Sequence, residues 1–377
     1  MEEIMSSVIS LHSPKDVSFS QIDQELNKIW QAYGEHAAAR ASTFNLIVYE
    51  PTAGLSAVQN TIDVIASQSP CRVICLIPQT GEDEGITAQV ASYCPIQKSR
   101  STLVCGEYIT LSGTKEAFER VYPLLMELIL QDLPVFVWWK DSPDIASRLF
   151  ERLMQIADRL ILDSAQFRNV SQDLILVSNL LNAEIAVADL NWRRLSPWQE
   201  LTAQAFDPPD RRAAVWDIDG ITIDYERGNN SQALMFLGWI ASRLQWQPVS
   251  QKLEGGDYNL HHIWFRGKEG MEVKAELAAI PVGDPGTVVG DLIGLRLSSS
   301  KQNTDACNIF CSESTGCMRM EAAGSAQSYR THLVTPLADQ SADVLLVQQM
   351  QRFGREMLYE ESLAVTRQIL ELSETVS

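Results

Sequence analysis

Cys307, Cys311 and Cys317 fall within eleven residues of one another. Thiols at that spacing have three options. Two can close a small disulfide and open it again, all can pack as inert hydrophobes, or they can join a fourth ligand around a metal. Between Cys311 and Cys317 lies Ser312-Glu313-Ser314-Thr315-Gly316, a polar stretch whose glycine lets the chain turn back. Closing so small a ring biases the ensemble by only ~2–3 kcal/mol. That is little for a core, yet it shifts a two-state equilibrium by roughly tens of fold. A metal would need a further ligand such as His332, and the CxxC knuckle of zinc sites is missing.

The other four cysteines read differently. Cys71 and Cys75 sit on an apolar run with strand character, where four steps of ~3.3 Å hold them ~13 Å apart. A disulfide needs Cα atoms within ~7 Å, so these two are expected as packed thiols. Cys94 and Cys105 lie nearer expected core elements and are expected to be less accessible than Cys311 and Cys317.

Trp216-Asp217-Ile218-Asp219-Gly220 offers a pair of carboxylates after an apolar stretch, as in the nucleophile loop of haloacid-dehalogenase-like phosphatases. There the first Asp attacks phosphorus and the second works as acid and base. Here Thr222 sits one place late, and the run continues as a strand through Tyr225, on which residues 217 and 219 share a solvent-facing side. A sugar-phosphate-processing enzyme using Asp217 and Asp219 is therefore the alternative reading. His261-His262 are neighbours on an expected strand and point to opposite faces, which prevents joint ligation of one metal. Gly283 to Gly290 lacks the lysine of a P-loop, and no GxGxxG opens a helix after a strand. No catalytic residue, cofactor-binding residue or metal site is assigned.

The elements that carry these residues alternate in the first half. Strands are expected at Val8–Leu11, Phe44–Tyr49, Arg72–Ile77, Leu103–Ser112, Pro134–Trp139, Arg159–Leu162 and Glu184–Ala188. Helices are expected over Phe19–Ala39, Leu55–Ser67, Thr114–Gln131, from Asp141-Ser142-Pro143 onward, and over Trp192–Ala205. This is an α/β pattern with a largely parallel sheet flanked by helices. Phe206 to Arg212, with two prolines among charges, marks a boundary between an N-terminal α/β domain (1–206) and a smaller α+β domain (213–377). The second half reads as a strand over Ala214–Tyr225, a helix over Ser231–Leu244, and strands at Val249–Leu253, Tyr258–Phe265, Met271–Ala279, Leu292–Leu297 and Tyr329–Pro336. A mostly antiparallel sheet is expected there, then C-terminal helices from Ser341 to Ser373 broken at Gly354.

The 377 residues carry 48 acidic and 30 basic side chains, a formal charge of −18. Such a balance disfavours nucleic acid and anionic membrane as partners. No run approaches the ~18–20 apolar residues of a membrane span. Met1-Glu2-Glu3 is acidic where a signal peptide is basic, so a cytoplasmic location is expected.

Several blocks resemble the OpcA family of glucose-6-phosphate dehydrogenase assembly proteins. They are Ser10–Val17 with the helix to Trp30, Leu130–Trp139, Ala157–Ser164, Leu190-Asn191-Trp192-Arg193-Arg194-Leu195-Ser196-Pro197-Trp198-Gln199-Glu200, and Ala233–Leu244. They span most of the chain in one order, and the Cys-rich stretch is similar to the cyanobacterial branch. The resemblance implies a non-catalytic effector that binds glucose-6-phosphate dehydrogenase, promotes its active oligomer and raises its activity in the oxidative pentose phosphate pathway. It also implies transient control by thioredoxin, the oxidised form supporting activity. Spacing then selects Cys311 and Cys317 as the switching pair, with Cys307 as the alternative partner. Trp192, Arg193, Arg194 and Trp198 are offered as a partner surface because Trp and Arg are enriched in hot spots; a helix start that packs its Trp inward accounts for them equally well. Trp138 and Trp139 read as core.

Overall fold

The computed structural model describes residues 8–40, 42–51, 65, 70–95, 103–209, 211–283, 288–301, 304–312, 317–323, 330–336, 341–352 and 354–372. One sheet holds β1 (Val8–Val17), β2 (Ala38–Arg40), β3 (Asn45–Tyr49), β4 (Arg72–Pro78), β5 (Thr87–Pro95), β6 (Leu103–Gly113), β7 (Val135–Trp139), β8 (Arg159–Leu162) and β9 (Val187–Asp189). A second holds β10 (Gly220–Glu226), β11 (Gln247–Glu254), β12 (Leu260–Arg266), β13 (Glu272–Ile280), β14 (Leu292–Ser299), β15 (Thr304–Ser312), β16 (Cys317–Ala323) and β17 (Arg330–Pro336). The α-helices are α1 (Ile22–Ala37), α2 (Lys115–Glu127), α3 (Arg148–Met154), α4 (Val170–Asn182) and α5 (Leu190–Arg194). They continue with α6 (Ser196–Gln204), α7 (Ser231–Leu244), α8 (Ala342–Met350) and α9 (Met357–Leu370). None of them is long and apolar enough to cross a membrane.

The chain divides into two units. The first comprises Met1–Asp163, Glu184–Ala188 and Ala342–Gly354, and the second Ser164–Ala183, Asp189–Ser341 and Arg355–Ser377. In the first unit the strand order is β1-β5-β6-β4-β3-β7-β8-β9, with β2 on β6. Strands β6, β4, β3, β7 and β8 are parallel, whereas β1 and β5 run antiparallel at one edge. Continuous apolar runs are what doubly covered parallel strands require, and every residue of β3, β7 and β8 is buried. Trp138 and Trp139 are both core residues; Trp139 stacks on Tyr49 at 3.7 Å and meets Phe150 edge-on at 4.9 Å.

One buried ion pair anchors this unit. Arg72 on β4 donates through Nε (2.8 Å) and Nη2 (2.6 Å) to Glu107 Oε2 on β6, its register partner. Trp30 Nε1 on α1 donates to the other carboxylate oxygen at 2.7 Å, and Arg72 Nη1 donates to the Leu128 carbonyl at 2.7 Å.

In the second unit the order is β11-β12-β13-β10-β14-β15-β16-β17, antiparallel except for β10 beside β13. The alternation along β10 is regular: Ile221, Ile223 and Tyr225 are buried and the residues between them half-buried. Helices α7 and α9 pack against each other; α7 lies on β10, and α9 on β11 and α4. The break expected at Gly354 separates α8 from α9, with φ +90° at that glycine.

Three local expectations need correction. The helix expected from Asp141 starts at Arg148, capped by Ser147, because Asp144 takes the Ala146 amide in a side-chain turn that competes with helix. The stretch expected as one strand over Ala214–Tyr225 begins instead as a 3-10 turn, Arg212–Asp217, and becomes a strand at Gly220. The single helix expected over Trp192–Ala205 is two, divided at Leu195, where Pro197 lacks the N–H that would bond back to Arg193. Strands β2, β5, β15 and β16 and helix α4 were not anticipated. The helix expected over Leu55–Ser67 lies outside the described residues apart from Ile65.

Candidate functional site

Strand β15 carries Cys307 and Cys311, and β16 opens at Cys317. The two strands are antiparallel neighbours, with Cys311 opposite Met318 and Ser312 opposite Cys317. The backbone therefore brings Cys311 and Cys317 within one register step, at the end of the hairpin. Residues 313–316 between them lie outside the described set. Cys307 is fully buried opposite Leu297, and burial pushes its thiol up to about 12 against the opposing pull of Arg211. A thiol so held is a poor nucleophile at neutral pH.

The remaining cysteines are in the first unit. Cys71 and Cys75 are buried free thiols, as their spacing implies. Burial raises the Cys71 thiol strongly and the Cys75 thiol to about 12. Cys94 on β5 and Cys105 on β6 are both fully buried and joined by a disulfide, Cα–Cα 4.2 Å. Sequence reading missed that bond because it missed β5. The one available signal was a short alternation, Thr87-Ala88-Gln89-Val90, which is lost from Ala91 onward, where residues 91–94 are all buried.

The Trp-Arg block lies at the centre of a buried polar network in the second unit. Asp189 caps α5 and accepts from the amides of Asn191 (2.9 Å) and Ser164 (3.0 Å). Asn191 Nδ2 donates to Ser164 Oγ at 3.1 Å, and its Oδ1 accepts from Gln232 (2.8 Å) and Arg194 (3.3 Å). Gln232 also donates to Asp291 at 2.5 Å. Asn229 and Ser231 close the network on the Ser164 carbonyl, each at 3.0 Å. Trp192 lies against Tyr359 at 5.6 Å, and Trp198 against Phe236 at 6.5 Å. Trp192, Arg194 and Trp198 are thus buried, and Arg193 is half-buried. Full burial and the nearby Asp189 carboxylate push the Tyr359 hydroxyl well above its usual range, so the ring serves packing and hydrogen bonding.

The Asp217 and Asp219 carboxylates are both engaged. Asp217 pairs with Lys301 Nζ at 2.5 Å, and Asp219 accepts the Ser300 amide at 3.0 and 3.1 Å. His261 and His262 do face opposite ways. His262 lies between Glu276 (3.4 Å) and Glu254 (3.6 Å), whereas the His261 Nε2 meets Gln251 Oε1 at 2.8 Å. Gln251 spends its own N–H on the Leu372 carbonyl, so the His261 nitrogen is the donor.

Burial, reinforced by His262, pushes the His261 imidazole down to about 4. Unfolded, the ring titrates near ~6.5. Between those values the unfolded chain holds a proton that the folded chain lacks, so stability is complete above about pH 6.5 and falls as pH drops toward 4. A loss on the order of 2–3 kcal/mol across that window is expected. Urea melts of the wild type and His261→Gln at pH 7 and pH 5 check it: the variant should lose most of the slope.

Comparison with known proteins is consistent across the chain. The family model described as the glucose-6-phosphate dehydrogenase subunit N-terminal domain matches residues 62–179, and the one for the C-terminal domain matches residues 185–363. The chain is 45% identical to the OxPP cycle protein OpcA of Nostoc punctiforme, over 98% of this chain and 96% of that one. It is 42% identical to its counterpart in Synechocystis, over 97% and 94%. Among solved structures, the UDP-N-acetylglucosamine 3-dehydrogenase GnnA of Acidithiobacillus ferrooxidans is 11% identical with a TM-score of 0.43, covering 88% of this chain and 97% of that one.

Proposed function

The chain belongs to the OpcA family of glucose-6-phosphate dehydrogenase assembly proteins, and from that premise we propose that it is a non-catalytic effector of this dehydrogenase. It binds the enzyme in the cytoplasm, promotes its active oligomer and raises its activity in the oxidative pentose phosphate pathway. The observation that carries this reading is the pair of family models matched in order along the chain. The engagement of Asp217 with Lys301, and of Asp219 with Ser300, supports it against the phosphatase alternative.

Control by a thioredoxin-like dithiol is assigned to Cys311 and Cys317, with Cys307 as the alternative partner. In the step proposed, the dithiol passes two electrons and two protons to the Cys311–Cys317 disulfide. Two thiols form on this chain and a disulfide on the reductant. The hairpin brings the two backbones near each other, but Cys311 registers with Met318 and Cys317 with Ser312, on opposite faces, so closing the bond requires the hairpin end to shift by one residue. A reductant near −270 mV acts only on a disulfide of comparable or higher potential, about −300 mV being a lower bound for response.

The test is a dehydrogenase assay with and without this protein, under oxidising and reducing conditions. The oxidised wild type should co-elute with the enzyme and raise its rate or lower its apparent substrate KM, and reduction should weaken that effect. Cys311→Ser and Cys317→Ser should be insensitive to reductant, and Cys71→Ser should behave as wild type. Separate elution with unchanged kinetics would sink the effector reading. A response that survives in Cys311→Ser and Cys317→Ser but disappears in Cys94→Ser would move the control to the buried β5–β6 bond.

A further inference from the structure

We propose that this chain pairs with a second copy of itself through the open face of its antiparallel sheet. One face of that sheet is apolar and buried, through residues such as Ile223, Leu277, Leu295 and Phe265. The opposite face is read off by register. Its middle row runs Lys252, His262, Glu276, Thr222, Arg296 and Asn308 across β11, β12, β13, β10, β14 and β15. Glu272, Lys274 and Arg296 are exposed on it. Phe310 is 50% exposed opposite Gly294, a large aromatic beside a residue with no side chain.

Charge distinguishes this face from the rest of the molecule. The chain carries 48 acidic and 30 basic residues. Among the described residues of this face, the basic Lys252, Arg266, Lys274 and Arg296 stand against the acidic Asp224, Glu226, Glu254, Glu272 and Glu276, four against five and close to balance. Two copies at −18 repel each other over most approaches, and the repulsion is locally cancelled where signs balance and alternate. A phosphate backbone has no such preference for a balanced surface.

The alternation also fits itself. A two-fold axis along β10 sets β13 of one copy over β14 of the other. Glu276 then faces Arg296 of the second copy, and its Arg296 faces Glu276, so the pair forms twice. The same operation brings Leu260 on β12 toward Phe310 on β15. Packed sheets cross at about −30°, which keeps such facing pairs together near the axis. This axis overlaps the strands from β11 to β16, six inter-strand steps of about 4.8 Å by about six residues of 3.3 Å, or roughly 570 Å² per copy, near the low end of the range around the standard interface of about 800 Å² per partner. A depression of about 450 Å³ at the corner of this face, between Val249, Trp264 and Met271, gives the surface relief.

Light scattering coupled to size exclusion at micromolar concentration tests this on the full chain. The wild type should run at about twice 42.1 kDa. Glu276→Arg and Arg296→Glu should each raise the dimer dissociation constant about 100-fold or more, since each reversal acts at two symmetric contacts. Both should keep the far-ultraviolet dichroism of the wild type. The exchanged double variant Glu276→Arg/Arg296→Glu should restore the dimer, which a misfolded chain could not do. A monomeric wild type overturns the proposal, as does a dimer that both single reversals leave intact. So does a double variant that stays monomeric. If the reversals abolish the response of the dehydrogenase without changing the mass of this chain, the face belongs to the enzyme instead.

Discussion

Replacing Arg72 by alanine should lower the unfolding free energy of the first unit by about 3–5 kcal/mol, the range for breaking a buried ion pair from one side. The guanidinium is 3% exposed and the Glu107 carboxylate fully buried. Truncation removes the two N–H donors on Glu107 Oε2 and leaves a buried carboxylate without its cation, with Trp30 Nε1 still donating to Oε1. It also strips the Leu128 carbonyl, just past α2, of the Arg72 donor. The loss therefore reaches α1, α2 and two sheet strands at once. Arg72→Met combined with Glu107→Gln should recover much of it, because the amide oxygen keeps an acceptor for Trp30 and no bare charge stays inside. Denaturant melts of the single variants and the double variant measure the coupling. If Arg72→Ala lost less than about 1 kcal/mol, as for an exposed pair, water would have to reach Glu107.

How far such features can be read without coordinates depends on whether they are local. The parallel strands were legible because burial on both faces forces unbroken apolar runs, as in Val135–Trp139. The Thr114 cap was legible because its hydroxyl serves an amide three residues on, Ala117. Strand β5 was not, since Thr87–Pro95 lies at the antiparallel edge and mixes Ser, Gln and Thr with its apolar residues. Losing β5 also lost the Cys94–Cys105 bond, which exists only through its pairing with β6. The Arg72–Glu107 pair joins residues 35 apart and leaves no periodic trace. The Trp192–Trp198 block stood out by composition, a signal common to a hot spot and to a buried helix start. Burial of Trp192, Arg194 and Trp198 follows from Asn191, Ser164 and Gln232 meeting beneath them, a convergence of segments 27 and 41 residues apart. For Cys311 and Cys317, composition pointed to a turn between them, and the strands on either side are antiparallel neighbours.

Gly238→Val should destabilise the second unit by about 3 kcal/mol or more, at or above the top of the usual range for overpacking. A Cβ at Gly238 would stand 2.4 Å from Thr366 Oγ1 and 2.5 Å from the Ser362 carbonyl, both on α9. The first contact can rotate away, whereas the second is backbone and moves only with the helix. The approach is held tight by hydrogen bonds between the helices: Ser362 Oγ donates to the Met235 carbonyl at 2.6 Å, and Thr366 Oγ1 lies 3.1 Å from the Leu234 carbonyl. Pushing α9 away would break these and loosen its packing on α4 and β11. Gly238→Ala sets two effects against each other. It gains about 1 kcal/mol of helix propensity and meets the same two contacts, so a net loss of roughly 1–2 kcal/mol is expected. Adding Thr366→Ala should return only part of that loss, because the Ser362 carbonyl remains. Gly255→Ala is the control, since nothing lies within 4 Å of a Cβ there, and its melt should match the wild type. A Gly238→Ala variant as stable as the wild type would mean that α9 yields at Ser362 without losing its hydrogen bonds to α7, and the close approach would then not be what fixes the helix pair.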